Sequence, residues 1–444
     1  MQIKEGKGAI VRATARPVSY SDDPRMWSWV EASVWTDRML AALGNGVRGG
    51  KWHSLIDKVY ALQTLRAAWK RVASNRGAAG IDRVSIKFFE TNAEYHLNSL
   101  GEELRSGNYK PLPIRRVHIP KGKGKTRPLG IATVKDRIVQ CALKLVMEPI
   151  FEKDFLPVSF GFRPERSCKD ALRRVDKSLK EGFTWVVDAD LQSYFDTIPK
   201  QALIKLVETK ISDVNISKLL KQFLDQDVIE GMNQWTPTAG TPQGSVISPL
   251  MSNLYLHGLD ELMSNSGVRY VRFADDFVAM CRTRQEAEQA LETIRAWVES
   301  HGLILHPDKT HVGNCVEWRQ GFEFLGYRFE AGKRWVRSKS KQALRDRVRL
   351  LTGRLRSGSL ESIIKELNAV LRGWFGYFKH AHRSTFRGVD GFVRCRLRAI
   401  LRKREKRPGF GRTSSDHKLW PNAFFAKRGL FTMNEAHVTA SQSR

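Results

Sequence analysis

The stretch Tyr270-Val271-Arg272-Phe273-Ala274-Asp275-Asp276-Phe277-Val278-Ala279-Met280 sets two adjacent carboxylates between two short apolar runs. Each run has the length and composition of a strand, so the segment reads as a tight hairpin with both acids at its tip. Side chains alternate faces along a strand, so neighbouring aspartates on a straight strand point apart, and only a turn brings both toward one cation. Two unpaired like charges in an apolar setting are costly, and a bound metal is the usual way to hold them. A solvated Asp-Asp turn is the ordinary alternative; the apolar flanks favour the metal site here.

The rest of the chain says what such a site would act on. With 444 residues there is room for two or three domains, and 41% hydrophobic and 10% aromatic content describes packed cores. Lys and Arg number 75 against 46 Asp and Glu, a net charge of +29 that implies a polyanionic partner, nucleic acid first. No stretch approaches the roughly 18 apolar residues of a spanning helix, so no membrane partner is expected. The opening MQIKEGKGAIVRATARPV lacks the apolar core of a secretory signal. Five scattered cysteines without a CxxC pair fit a reducing, cytoplasmic compartment and give no support for zinc.

Residues up to about 20 are polar and basic and are expected to be poorly ordered. Trp27 to Leu40 carry apolar residues at helical spacing as far as the Gly44–Gly50 break. A second helix runs from Leu55 through Val72 and stops near Asn75-Arg76-Gly77, where glycine supplies the left-handed cap. Arg115 to Ile131 reads strand, turn, strand, with a turn rich in glycine and cations suited to phosphate. Thr184 to Leu191 reads as a buried strand whose period of two puts Asp188 and Asp190 on one face. Gly240 to Leu250 is a stiff polar loop entering an apolar helix, and the tail from about 340 is helical and basic.

Asp190, Asp275 and Asp276, on well-separated strands, could converge on two divalent cations. Hard cations such as Mg²⁺ take oxygen ligands and leave positions for substrate phosphates, and a pair of them suits in-line phosphoryl transfer. Lys121 and Arg127 on the glycine hairpin would neutralise a triphosphate. The residues therefore point to nucleotidyl transfer on a nucleic acid.

From about residue 25 onward the sequence resembles the reverse transcriptases encoded by bacterial group II introns. The blocks IPKGKGKTRPLGI, SFGFRPERS, VVDADLQSYFDTI, GTPQGSVISPL, RFADDFV, LHPDKT and FEFLGYRF stand in that family's order. LNAVLRGWFGYFKHA and the segment through WPNAFFAKRGLF are similar to its maturase or thumb region. The resemblance extends to the compact class without an appended endonuclease.

That resemblance implies an α+β right-hand polymerase, with antiparallel fingers and palm sheets followed by an α-helical thumb. The expected segments are 1–75 as N-terminal extension and first fingers helices, and 76–335 as fingers and palm. A thumb or maturase domain would cover 336–400 and a basic DNA-binding region 401–444. Asp190, Asp275 and Asp276 become ligands of two Mg²⁺ ions, with Mn²⁺ as a substitute, and Asp188 takes a supporting role. Lys121, Arg127, Phe195, Gln243 and Lys309 line the nucleotide site, Phe195 lying beneath the sugar and disfavouring a 2′-hydroxyl. Phe324, Leu325, Gly326 and Tyr327 form the primer-grip turn, and Arg163 serves the template path. Trp374, Arg394, Arg396, Arg402, Lys403 and Arg404 meet nucleic acid in the C-terminal region. One departure is Phe273, where the family more often has tyrosine. The implied partners are intron RNA, a DNA target or primer and deoxynucleoside triphosphates, and the implied function is RNA-directed DNA synthesis with help to splicing and intron mobility. A domesticated transcriptase in phage defence or repair, and a splicing cofactor with a vestigial polymerase, are the alternatives.

Overall fold

The computed structural model describes residues 27–122 and 124–442. The expectation for the first 20 residues lies outside them. The described strands run, in chain order, β1 (Ile114–Gly122), β2 (Lys125–Ile131), β3 (Trp185–Asp190), β4 (Val228–Glu230), β5 (Asn233–Trp235), β6 (Arg269–Phe273), β7 (Asp276–Cys281), β8 (His311–Asn314), β9 (Phe322–Phe324), β10 (Tyr327–Glu330) and β11 (Lys333–Val336). The chain divides into two compact units, one made of residues through Phe155 together with Pro199–Leu254, the other of Leu156–Ile198 with Tyr255 onward.

The first unit holds the sheet β2-β1-β4-β5. β1 and β2 form the expected antiparallel hairpin, from Arg115↔Ile131 to Ile119↔Arg127, with an irregularity between Pro120 and Gly122. β1 also pairs in parallel with β4 at Ile114↔Val228. The helix Val134–Glu152 is apolar nearly all round, which is the pattern of a helix surrounded by protein. Ile138, Val139, Ala142, Leu143, Val146 and Met147 are fully buried. Thr133 caps it by accepting from the Asp136 amide at 3.0 Å.

Three local expectations in this unit need correction. The helix foreseen from Trp27 starts only at Asp37, because the Thr36 hydroxyl caps the Met39 amide and the residues before it form turns. The Leu55–Val72 helix is two helices, Ile56–Tyr60 and Leu62–Ser74, broken where Ala61 adopts ψ 130°. The left-handed residue past its end is Arg76, with φ +47°, rather than Gly77. A Cβ at Gly77 would stand 2.4 Å from the Arg137 guanidinium, which could shift to admit it.

The second unit holds the antiparallel sheet β6-β7-β3-β8 and the three-stranded sheet β11-β10-β9. The helix Arg284–Ser300 starts with a capping box between Thr283 and Glu286 and packs on β3, β7 and β8. Val186, Val278 and Met280 join one continuous core with Phe322, Phe324, Tyr327 and Phe329. The helices Ser338–Leu351, Leu360–Phe378 and Ser384–Arg404 add Leu344, Leu367, Phe375 and Phe386 to the same core. The fold is thus α+β, with largely antiparallel sheets, the β1–β4 pairing apart, followed by a helical C-terminal region.

Candidate active site

Antiparallel pairing of β3 and β7 sets Asp190 directly opposite Asp276, and Asp188 opposite Val278. Opposed residues of an antiparallel pair share a face, so Asp188, Asp190 and Asp276 lie together on one side of the sheet. β6 and β7 close at Phe273↔Asp276, leaving Ala274 and Asp275 as a two-residue turn. The hairpin expected from the sequence is therefore present, with Asp275 in the turn and Asp276 as the first strand residue after it.

Ala274 has φ +60°, a conformation that costs an L-residue roughly 1–2 kcal/mol. Its surroundings hold it there. The Arg272 guanidinium donates to the Ala274 carbonyl at 2.9 Å and grips Asp260 through two further bonds of 2.7 and 2.5 Å. Both partners of that ion pair are 0% exposed. On the other side, Phe160 donates to the Arg272 carbonyl and Arg272 to the Val158 carbonyl, each at 2.9 Å. Gly161 fits beneath the turn, where a Cβ would lie 2.2 Å from the Ala274 nitrogen. The SFGF block thus cradles the acidic turn, and Arg272, Asp260 and Gly161 are site residues that the sequence reading missed. A glycine between two phenylalanines was the only signal.

The carboxylates crowd one another. Asp276 is pushed up to about 7, first by burial and then by the charges of Asp188, Asp275 and Asp190, with the nearby Leu325 amide opposing. Asp188 is raised to about 6 by burial, with neighbouring His311 and a 3.3 Å bond from the Glu323 amide opposing. Asp190 forms an ion pair with Lys309, so the LHPDKT lysine does reach the acidic site. The His306 amide donates to the Asp190 carbonyl at 2.7 Å, fixing that loop along the strand end.

Among the described residues no group of three His, Cys, Asp or Glu side chains is arranged to enclose an ion. The donor set nevertheless suits Mg²⁺ or Mn²⁺: it is all carboxylate, and Mg²⁺ is commonly held by one or two carboxylates with substrate phosphates rather than by a protein cage.

Phe195 follows Ser193, which has φ +49°, and its ring is largely buried edge-to-face against Tyr194 at 5.6 Å. Phe273 lies partly buried against the core. Leu325 and Gly326, at φ +47° and +84°, make the two-residue turn between β9 and β10. Phe324 and Tyr327, however, are 0% exposed, so their rings are core and only the turn between them is left accessible. Arg163 is also buried, donating to the carbonyls of Leu156 at 2.6 Å and Ser159 at 2.9 Å. It braces the loop under the acidic turn, a buried place for a residue expected on the template path.

In the first unit, Arg127 donates to the Gln243 side-chain oxygen at 3.0 Å, bringing together two residues expected at the nucleotide. The Gly130 amide donates to the Gln243 carbonyl at 2.7 Å. Gly244, at φ +106°, packs so closely that a Cβ would meet the Gly130 oxygen at 2.4 Å. Buried Gln140 holds the same loop by accepting from the Ser245 hydroxyl at 2.7 Å and the Val246 amide at 2.9 Å. Lys121 lies on β1; its side chain is outside the described structure, as is Lys123.

The C-terminal cations divide. Arg396 donates to Thr352 through two bonds of 3.1 and 2.6 Å, Arg404 to the Gly358 carbonyl at 2.6 Å, and Arg402 to Asp416 at 2.5 Å and to the Pro408 carbonyl. These bonds fasten loops to the Ser384–Arg404 helix, although the Arg404 side chain remains exposed. Arg394 is half-buried beside Asp390, whereas Lys403 is exposed. Trp374 packs on Phe378 at 4.7 Å and is largely a core residue.

The sequence matches the reverse transcriptase (RNA-dependent DNA polymerase) family over residues 119–329 and the group II intron maturase-specific domain over 341–420. Protein YkfC of Escherichia coli (strain K12) is 38% identical over 305 residues, 60% of this chain and 79% of that one. The group II intron-encoded protein LtrA of Lactococcus lactis subsp. cremoris is 36% identical over 209 residues, 46% of this chain and 34% of LtrA. The putative COX1/OXI3 intron 2 protein of Saccharomyces cerevisiae is 27% identical over 402 residues, 77% of this chain and 46% of that protein. The chain thus spans a third to a half of these two longer relatives. The class defined by these matches and the acidic sheet is an RNA-directed DNA polymerase. Within it, this chain belongs to the group II intron reverse transcriptases that carry a maturase-specific domain.

Proposed function

We propose that the protein copies RNA into DNA at Asp190, Asp275 and Asp276, and that it binds its own intron RNA to assist splicing and support intron mobility. The observation that carries the polymerase site is the register Asp190↔Asp276 with Asp275 in the adjoining turn. These carboxylates would hold two Mg²⁺ ions, which when bound stabilise the attacking and leaving oxygens of an in-line phosphoryl transfer. Lys309, paired with Asp190 but largely exposed, would meet the triphosphate, as would Lys121 and the Arg127–Gln243 pair. Phe195 would support the sugar and exclude a 2′-hydroxyl, and the Leu325–Gly326 turn would seat the primer end.

The segments 1–75, 76–335, 336–400 and 401–444 are proposed as N-terminal extension, fingers and palm, maturase or thumb domain, and DNA-binding region. Intron RNA and target DNA would meet the basic surface of the last two, at residues such as Lys403 and Arg394. Among the described residues no helix is long and apolar enough to cross a membrane.

The test is primer extension with purified protein, a primed RNA template, deoxynucleotides and Mg²⁺. Asp275→Ala is expected to lower the rate by at least about a thousandfold, roughly 4 kcal/mol of barrier, while RNA affinity stays within about twofold because phosphate contacts dominate it. Parallel loss of RNA binding and of folded protein would make Asp275 a structural residue and sink the assignment.

A further inference from the structure

Tyr377 ends the helix Leu360–Phe378, inside the segment matched by the maturase-specific domain. Its hydroxyl donates to the Leu325 carbonyl at 2.8 Å, and the Tyr327 hydroxyl donates in return to the Tyr377 carbonyl at 2.7 Å. Leu325 and Asp276 both belong to the reverse transcriptase segment; β9, which ends just before Leu325, packs on β7, which begins at Asp276, so the Leu325 amide lies beside the Asp276 carboxylate. One residue therefore has its carbonyl held by the helix and its amide beside the acid.

Leu325 sits at φ +47°, which is unfavourable for a leucine and persists only where neighbours enforce it. The turn has little slack. A Cβ on Gly326 would meet Phe378 and Ser340 at 3.4 Å, and the Arg337 amide donates to the Gly326 carbonyl at 3.0 Å. With the Tyr377 hydroxyl gone, Leu325 can relax out of the left-handed region and turn its amide away from Asp276.

We propose that Tyr377 is a positioning residue for DNA synthesis, through which the maturase-segment helix fixes the Leu325 turn and thereby the placement of Asp276. The inference rests on the reading of Asp276 as part of the polymerase site. It links the two matched segments of the chain by two hydrogen bonds through Tyr377. Displacing the end of the helix would loosen a catalytic carboxylate without touching it.

Tyr377→Phe keeps the ring and its packing on Tyr327 and Phe378, and removes the hydroxyl that meets the Leu325 carbonyl and the neighbouring Cys168. In single-nucleotide extension its kcat is expected to fall about three- to tenfold, the scale of one lost hydrogen bond. The Mg²⁺ concentration for half-maximal rate should rise by a similar factor, with the deoxynucleotide KM, RNA affinity and thermal midpoint unchanged. Tyr327→Phe should show the same pattern more weakly, and decides the matter if Tyr377→Phe folds poorly. In an Asp276→Asn background, Tyr377→Phe should have no additional effect, as expected for groups acting through one another. An unchanged rate and Mg²⁺ dependence in both phenylalanine variants overturns the inference, as does a fall in rate that tracks a fall in melting temperature. A wild-type protein that extends no primer overturns the polymerase reading itself, and this inference with it.

Discussion

The buried pair Arg272–Asp260 offers the sharpest test of how the acidic turn is held. Asp260→Asn keeps the shape but removes the charge and one acceptor, leaving a guanidinium that is 0% exposed without its counter-ion. Breaking a buried pair from one side costs about 3–5 kcal/mol, out of roughly 5–15 kcal/mol for a whole domain. The bidentate geometry, at 2.7 and 2.5 Å, argues for the upper part of that range. The variant should therefore melt far below wild type, with faster amide exchange in peptides spanning Arg272–Phe277. Replacing both partners, Arg272→Met with Asp260→Leu, removes the charge problem and should recover much of the stability. Polymerase activity should not recover with it, because the Ala274 carbonyl has lost its 2.9 Å donor and the turn that carries Asp275 is released. Melting curves and single-turnover extension on the three proteins decide this. A loss under about 1 kcal/mol in Asp260→Asn, or full activity in the double variant, refutes the reasoning.

Gly244→Ala should disturb the Pro-Gln-Gly turn, since φ +106° excludes an alanine and its Cβ would meet the Gly130 oxygen at 2.4 Å. A rise of about tenfold in the deoxynucleotide KM is expected, corresponding to about 1.4 kcal/mol, and an unchanged KM would remove Gln243 from the nucleotide site. The pH dependence runs opposite to that of an ordinary carboxylate. Asp276 is raised from 3.8 to about 7, so between those values the folded protein holds a proton that the unfolded chain has released. Metal-free stability should therefore fall as pH rises through that window, and Mg²⁺ should restore it above about 7, where the carboxyl is ionised and the cation offsets its charge. Thermal melts in chelator should show Asp276→Asn more stable than wild type at about pH 8, by roughly 2–4 °C per kcal/mol relieved, with the margin gone by about pH 4; equal melting at the higher pH would contradict the assignment.

The hairpin Tyr270–Met280 and the strand holding Asp188 and Asp190 were legible because both follow from a period of two. The register was not, since Asp190↔Asp276 depends on pairing between residues 86 positions apart. The same gap explains the missed residues. Arg272 reads as one more cation in a basic chain, and Asp260 as a solvated acid in a helix; only their burial together makes them a clamp. Gly161 and Gly244 looked like generic turn residues, whereas each permits one backbone to approach another within the distance a Cβ would occupy. Arg76 shows the reverse error, a charged residue taking the left-handed position for which its glycine neighbour was the better candidate.

The excess of positive charge was read as a nucleic-acid surface, and the side chains divide that reading. Arg402 pairs with an Asp416 that is 0% exposed, so Arg402→Ala would leave a buried carboxylate without its cation. Its effect should be on stability, a loss of several kcal/mol by the argument for broken buried pairs. Lys403, next to it in sequence, is exposed and carries no such duty. If Lys403 meets a phosphate, Lys403→Ala should weaken RNA and DNA binding uniformly across sequences and reduce the slope of log K against log salt by about 1, with the melting temperature unchanged. Salt titrations and melting curves on the two single variants separate the roles. A slope change in Arg402→Ala without loss of stability, or no slope change in Lys403→Ala, would show that the division has been drawn through the wrong residues. Formal charge alone cannot make that distinction, because an arginine that fastens a loop and a lysine that waits for a phosphate each contribute +1.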